Sequence, residues 1–308
     1  MSIDAKIGIV GYGVEGQSVS SYLLRHGYKN LTVCDENDVV VPFGVKLRAG
    51  AKYLDKISDF DVVFRSPGVH LDKLVSASKI TSATRFFFEK CPCPVIGVSG
   101  TKGKGTCASL IFEILGNGLA RLGGNIGVPA LDFLDDLRTD SLAVLELSSF
   151  QLQDLTQSPH IAVLLNTTSD HLDYHSDVFE YRDAKSSLLK YQKKGDFAVL
   201  NRDYEYFDYY SAMVQGRTFL VSREMRVFDG AYVEGGGIYF ARGGEAEFIM
   251  KTSEVGLIGA HNLENVLPAV CVGRILGVPG ADIAKAVREF QGLPHRIEFV
   301  REVRGVRF

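Results

Sequence analysis

The 308-residue sequence is short of several things, and each shortage excludes something. It has no surplus of basic residues. Its 34 Lys and Arg stand against 37 Asp and Glu, a net charge of −3, so neither nucleic acid nor a membrane surface is expected as a partner. No apolar run approaches membrane-spanning length, and the first ten residues carry no apolar core behind a basic start, so a cytoplasmic location is expected. Cysteine is scarce: Cys34, Cys91, Cys93, Cys107 and Cys271. Only Cys91 and Cys93 are close, and no second pair lies near enough to complete a zinc site. Free, buried thiols in a reducing compartment are the expectation. Internal repeats, charged tails and low-complexity segments are missing too.

What is there suits an ordinary globular protein, 46% hydrophobic and 23% charged. A large core can form without disulfides or a structural metal. The length exceeds a typical single domain, and two are expected. The expected fold class is α/β: a Rossmann-like parallel-sheet domain over residues 1–92, then a P-loop ATPase-type α/β domain over 93–298 with an antiparallel edge.

The first domain is read from residues 6–10, a short apolar run leading into Gly11-Tyr-Gly13-Val-Glu-Gly16 and then a helix-like stretch. The next apolar run, 31–34, ends on Asp35. Strand, glycine turn, helix and strand make a βαβ unit, which implies a parallel sheet. A further run, 61–64, ends at Arg65-Ser66-Pro67-Gly68, a turn signal just past a strand's carboxyl end, where open α/β sheets hold ligands. Cys91-Pro-Cys-Pro94 reads as a rigid linker between domains. The pattern then restarts: strand 95–98, glycine loop, helix from about Thr106, strand 142–147 and strand 161–165. Residues 178–194 have helical spacing. Residues 217–249 are β-rich with many glycines, which suggests an antiparallel edge or hairpins, and helices follow near 262–276 and 281–290.

Gly100-Thr101-Lys102-Gly103-Lys104-Gly105-Thr106 lies between a strand and a helix. Such a loop aims backbone N–H groups at phosphate oxygens, and the helix N-terminus adds favourable partial charge. Lys104 is placed to reach the outer phosphates, with a hydroxyl after it for magnesium. The pattern departs from a full P-loop: Val98 stands at the first glycine position, and Gly105 at the Ser/Thr position leaves Thr106 as the nearest hydroxyl. A flexible turn with exposed lysines is the bland alternative, and the strand–loop–helix context speaks against it. Glu146 closes the run 142–146, where a parallel strand delivers it beside the loop, and a hard oxygen ligand there suits magnesium on nucleotide phosphates.

Further along stand Gly123-Gly-Asn-Ile-Gly127, Glu146-Leu-Ser-Ser-Phe-Gln-Leu152, Asn166-Thr-Thr-Ser-Asp-His171, Tyr181-Arg-Asp-Ala-Lys185, His261-Asn-Leu-Glu-Asn265 and Gly292-Leu-Pro-His-Arg296. In this order and spacing after one phosphate loop, the chain resembles the Mur ligase family from about residue 6 to its end, and most of all the branch that adds D-glutamate. The resemblance implies a cytoplasmic, monomeric ligase of peptidoglycan synthesis, with ATP and Mg2+ as cofactors and UDP-N-acetylmuramoyl-L-alanine and D-glutamate as partners. ATP would phosphorylate the substrate carboxylate, and the amine would then displace phosphate from the acyl phosphate.

By the same resemblance Lys104, His171 and Lys185 are catalytic. Gly100 to Thr106, Asn262, Asn265 and Arg296 hold ATP. Thr106, Glu146, His171 and a carbamylated Lys185 serve the metal. Gly11, Gly13, Val14, Glu15, Asp35, Ser66, Pro67, Gly68, Asn125 and Ser148 hold the uridine substrate. Family members continue into a third domain that binds the acceptor, so residues 299–308 are expected to begin a linker, and the chain is expected to bind ligands without ligating. Other readings stay open at this point: another Mur-type or folylpolyglutamate-type ligase, a non-catalytic binding module, or, from Gly11-x-Gly13-x-x-Gly16 with Asp35 alone, a nicotinamide-dependent oxidoreductase. His171 and His175 have a metal-ligand spacing, but Leu172 stands where a zinc protease needs Glu.

Overall fold

The computed structural model describes residues 1–77, 79–116, 118–168 and 177–293, with two short strands at 302–303 and 306–307. Two sheets organise the chain. In the first, strands β1 (Ile7–Val10), β2 (Leu31–Asp35), β3 (Lys46–Ala49), β4 (Val62–Arg65) and β5 (Ile80–Ser82) lie in the order β3-β2-β1-β4-β5. Every pairing is parallel. Helix α1 (Val14–Arg25) leaves directly from the turn after β1, and α2 (Ala83–Lys90) starts on Ser82, whose side chain caps it by accepting from the Arg85 N–H. The strand order reverses between β1 and β4. The carboxyl ends of those two strands therefore flank a crevice, and they carry Gly11 and Ser66.

The chain crosses once to the second sheet, between Lys90 and Val95. Nine strands follow in the order β14-β13-β12-β11-β10-β9-β6-β8-β7. These are β6 (Val95–Ser99), β7 (Ala120–Gly124), β8 (Leu142–Glu146), β9 (Ile161–Leu164), β10 (Phe197–Asn201), β11 (Arg217–Ser222), β12 (Gly230–Glu234), β13 (Gly237–Arg242) and β14 (Glu245–Lys251). The β-rich stretch from 217 onward divides in two. Strands β11 and β12 extend the parallel sheet, and only β12–β13 and β13–β14 pair antiparallel. The antiparallel edge is thus narrower than the glycine content suggests. Helices α3 (Lys104–Leu115), α4 (Ser149–Leu152), α5 (Val178–Lys190), α6 (Phe207–Ser211), α7 (Leu263–Ile275) and α8 (Gly280–Glu289) complete the chain, with a final hairpin of β15 (Glu302–Val303) and β16 (Val306–Arg307).

Burial explains the layering. The segments of α3 and α7 are apolar on most sides, and both bury most of their residues in a core with Ile96, Val98, Val163 and Val199. A second core is shared by the two halves: Ile9, Phe64 and Phe87 from the first pack with Phe133, Leu145 and Leu164 from the second. The Phe87 and Phe133 rings meet edge-on at 5.7 Å. A common apolar layer of this kind holds the two sheets in one orientation.

Candidate active site

The phosphate-loop candidate is built by β6 and α3. Gly100 and Gly103 have φ of 151° and 82°, conformations that side-chain-bearing residues avoid. Gly103 immediately precedes α3, whose first residue is Lys104, so the loop ends at a helix N-terminus. The Lys104 ammonium folds back onto the Thr101 carbonyl at 3.0 Å, while Lys102 is exposed. Thr101 is buried and tied down on several sides. Its N–H donates to the Asn166 carbonyl at 2.7 Å, and its hydroxyl lies 3.0 Å from the Tyr181 hydroxyl and 3.1 Å from the Thr168 carbonyl.

Four other elements converge here. From α5, Lys185 is 1% exposed, and its ammonium donates to the Gly100 carbonyl at 2.9 Å and lies over the Tyr181 ring. From the end of β8 comes Glu146, 5% exposed; a methyl group on Gly105 would sit 3.2 Å from its Oε2. Its other oxygen, Oε1, accepts from the Asn125 side chain at 3.1 Å, and the Asn125 N–H donates to the Glu146 carbonyl at 2.9 Å. The start of α7 brings Asn265 so close that a Cβ on Gly103 would meet its Oδ1 at 2.0 Å. Asn265 in turn donates to Asn262 Oδ1 at 2.9 Å. A cavity of about 300 Å³ opens between Gly103, Asn166, Tyr204, His261, Glu264 and Asn265.

The second locus is the crevice of the first sheet. Gly11 has φ 82°, and Gly16 packs so tightly that a Cβ would lie 2.2 Å from the Gly11 carbonyl. Ser66 donates to that same carbonyl at 2.6 Å. Asp35 is turned inward, accepting from the Tyr12 N–H at 2.7 Å and from the Asn37 N–H at 2.8 Å. Gly13, Val14 and Gly68 face outward, and Pro67 is half-buried. Arg65, 1% exposed, fixes the Ser66–Gly68 turn by donating to the carbonyls of Pro67 and Val69 at 3.2 and 2.9 Å.

A single short segment connects the two loci. Ser148 caps α4 in a capping box with Gln151, and this commits its hydroxyl internally. The Gln151 amide donates to Glu15 Oε1 at 2.5 Å, and Arg65 donates to the Phe150 carbonyl at 2.8 Å. Burial dominates the Glu15 carboxyl and raises its pKa from 4.5 to about 7, although Gln151 and Arg65 pull it down. Its Oε2 is buried with no hydrogen-bond partner among the described residues.

Residues 98–273 match the family model for the Mur ligase middle domain. The UDP-N-acetylmuramoylalanine–D-glutamate ligase of Symbiobacterium thermophilum is 35% identical over 327 residues, covering 100% of this chain and 72% of that protein. The ligase of the same name from Acetivibrio thermocellus is 34% identical, covering 98% of this chain and 68% of its own length. The chain belongs to the Mur ligase family. Mur ligases are ATP-dependent acid–amino acid ligases. Solved structures with the same fold include the UDP-N-acetylmuramate:L-alanyl-gamma-D-glutamyl-meso-diaminopimelate ligase of Neisseria meningitides, with a TM-score of 0.63 at 17% identity, covering 94% of this chain and 99% of that one. MurF of Acinetobacter baumannii has a TM-score of 0.60 at 16% identity, covering 98% of this chain and 64% of its own. Among the described residues, no helix of this Mur ligase is long and apolar enough to cross a membrane.

Set against the sequence expectations, Gly100 to Lys104, Gly105, Asn125, Glu146, Lys185, Asn262 and Asn265 share one locus. Thr106 lies in the first turn of α3, half-buried. Ser148 sits between this locus and the crevice. His171, His175 and Arg296 lie outside the described residues. Four residues with no role in the sequence reading help shape the site: Arg65, Gln151, Tyr204 and Glu264. Tyr204 donates to Glu264 Oε2 at 3.0 Å and so walls the cavity beside the loop. A signal for Glu264 existed, because it sits three positions after His261 and one before Asn265 at the same helix start.

Proposed function

We propose that this Mur ligase carries the uridine-substrate and ATP sites for adding D-glutamate to UDP-N-acetylmuramoyl-L-alanine through an acyl phosphate. The observation that carries the reading is the convergence of Glu146, Lys104, Lys185 and Asn265 on one glycine loop. Residues 1–92 form the uridine-substrate half and 93–298 the ATP half. ATP and Mg2+ are the cofactors. The donor set fits them: the helix N-terminus and Lys104 favour anionic phosphate, Gly103 lets the Asn265 side chain come close to the loop, and Glu146 offers a hard oxygen beside Gly105 in the first turn of α3.

A carboxylate is a poor acyl donor until its oxygen becomes a good leaving group. Transfer of the terminal phosphoryl group to it supplies that leaving group, and the incoming amine then expels phosphate. Charge gathers on the phosphoryl oxygens, so fixed cations and positioning do most of the catalytic work. Lys104 balances that charge. Gly100 to Thr106, Asn262 and Asn265 orient the nucleotide, with Arg296 and His171 as further ligands from the sequence reading. Lys185, held on the Gly100 carbonyl, is placed for carbamylation, which would turn its cation into a metal-orienting anion. Asn125 and Ser148 face the muramoyl side. Gly11, Gly13, Val14, Glu15, Asp35, Ser66, Pro67 and Gly68 line the uridine crevice.

The test is calorimetry on the 308-residue chain. ATP with magnesium should bind, and binding should weaken sharply in Lys104→Ala and lose its magnesium dependence in Glu146→Ala. UDP-N-acetylmuramoyl-L-alanine should bind and NAD should not. Unchanged ATP titrations in both variants, or tight NAD binding with no uridine response, would overturn the reading.

A further inference from the structure

The chain crosses between its sheets on Cys91-Pro92-Cys93-Pro94, and this crossing is chemically unlike the rest of the molecule. The two sulfur atoms face each other at 3.5 Å, and the Cys91 thiol also points at the Cys93 carbonyl at 3.4 Å. Both ends of the crossing are anchored. The Cys91 N–H donates to the Phe87 carbonyl at 2.7 Å, and the Pro94 carbonyl accepts from Ala143 at 3.1 Å. Two prolines, with φ fixed by their rings, hold the backbone between those anchors. The sulfurs therefore sit opposite each other because the linker leaves them little choice.

Their exposure differs in a useful way. Cys93 is buried, at 9% exposure, and Cys91 is half-buried; both line an open cavity of about 290 Å³, with Thr156, Ser158, His160 and Lys193. Cys91 is the more exposed of the pair, and Cys93 stands beside it at the wall of the same cavity. The other three thiols are of another kind. Cys34, Cys107 and Cys271 are buried, and burial pushes the Cys34 thiol up to about 11 and the other two higher. Cys91 goes the opposite way, its pKa lowered by the hydrogen bond from Cys93, while Cys93 is raised by the same bond. A half-buried sulfur 3.5 Å from a buried neighbour is the arrangement of an attacking and a resolving cysteine.

We propose that Cys91 and Cys93 form a dithiol–disulfide couple that exchanges with low-molecular-weight disulfides at the crossing between the two sheets. In the first step the Cys91 thiolate attacks one sulfur of the small disulfide. That S–S bond breaks, a mixed disulfide forms on Cys91, and the first small thiolate leaves and takes up the proton Cys91 released. In the second step Cys93 gives up its proton and attacks the Cys91 sulfur. The mixed disulfide breaks, and the second small thiolate leaves with that proton. The protein loses two electrons and two protons, and the small disulfide is reduced to two thiols. The sulfurs need to approach by only ~1.5 Å to reach bonding distance.

The experiment uses oxidised and reduced glutathione as the probe. The 308-residue chain is equilibrated over a range of glutathione ratios, quenched with acid, alkylated under denaturing conditions and digested with trypsin. Cleavage after Lys90 and Lys102 leaves both sulfurs on the single peptide 91–102 and no other cysteine with them. This peptide should be recovered unalkylated and two hydrogens lighter as the ratio turns oxidising, with Cys34, Cys107 and Cys271 still alkylated. In Cys93→Ser the mixed disulfide should be trapped on Cys91, at least ~10-fold more than on Cys93 in Cys91→Ser. A peptide alkylated on both sulfurs at every ratio, a lasting glutathione adduct in the unmodified chain, or linkage between chains would overturn the proposal. The readout on the unmodified chain stands even if a variant fails to fold.

Discussion

The molecule has two glycine loops at comparable places, each between a parallel strand and a helix, and they are built for opposite ends. The loop after β1 spends its polar groups on itself. Asp35 and Ser66 bond its backbone, Gly16 locks against Gly11, and the first turn of α1 carries an acid, Glu15. The loop after β6 borders a cavity, with Lys102 in its wall. Its helix begins with Lys104, has no acid in its first turn, and is flanked by the buried Lys185. The same fold element can thus be a rigid seat for a ligand or a charged cradle, depending on where a few side chains point. Glycine spacing alone does not separate the two.

That contrast can be broken by substitution. Gly16→Ala should have the largest effect, because its methyl group meets the Gly11 backbone carbonyl at 2.2 Å and neither can yield. A loss of about 3 kcal/mol in urea unfolding is expected. Gly103→Ala carries the strain of φ 82° but strikes only the end of the Asn265 side chain, so it should cost less stability while weakening ATP binding. Lys104→Ala should weaken ATP binding about 30-fold, near 2 kcal/mol, with binding of the uridine ligand little changed, as read by calorimetry. An equal loss for both ligands would erase the distinction between the loops.

Glu15→Gln should act through pH. The folded state holds the Glu15 proton up to about pH 7, whereas the unfolded chain releases it near 4.5. Between those values the folded state binds more protons, so stability falls as pH rises through the window. The Gln variant should match the parent at pH 4 and exceed it at pH 8 by about 1–2 kcal/mol, less than the whole shift because Glu15 is partly exposed. Equal thermal melts at pH 8 would sink this account. The smallest effect belongs to Gly13→Ala. Nothing lies within 4 Å of its added methyl and φ is −71°, so stability should stay within about 0.5 kcal/mol while uridine binding drops.

Much of this was legible in the chain. The runs before Gly11 and Gly100 announce two parallel βα turns, and the strand ending on Glu146 sets an acid beside the second loop. Other parts were hidden for physical reasons. Strand β3, Lys46–Ala49, has no fully buried residue and only four positions, too few for an apolar pattern. Whether β11 and β12 run parallel is decided by the path of the intervening chain, and side-chain propensity does not encode it. Gln151 and Glu15 are 136 residues apart, and their bond exists only because the two sheets share an apolar layer. The Ser148–Gln151 capping box, by contrast, is written in the sequence as Ser-x-x-Gln.

The stretch from Glu146 to Gln151 does more than cap a helix. Glu146, at its head, abuts the first turn of α3; Gln151, at its foot, grips Glu15 in the other half; and Arg65 holds the Phe150 carbonyl between them. Such a short tether has little slack, so a shift at one end is felt at the other. If nucleotide and muramoyl ligand each bias its position, linkage requires that each change the other's affinity by the same factor. Cooperativity between the two ligands would then be a property of this strut, and a longer or softer one would let them bind as strangers.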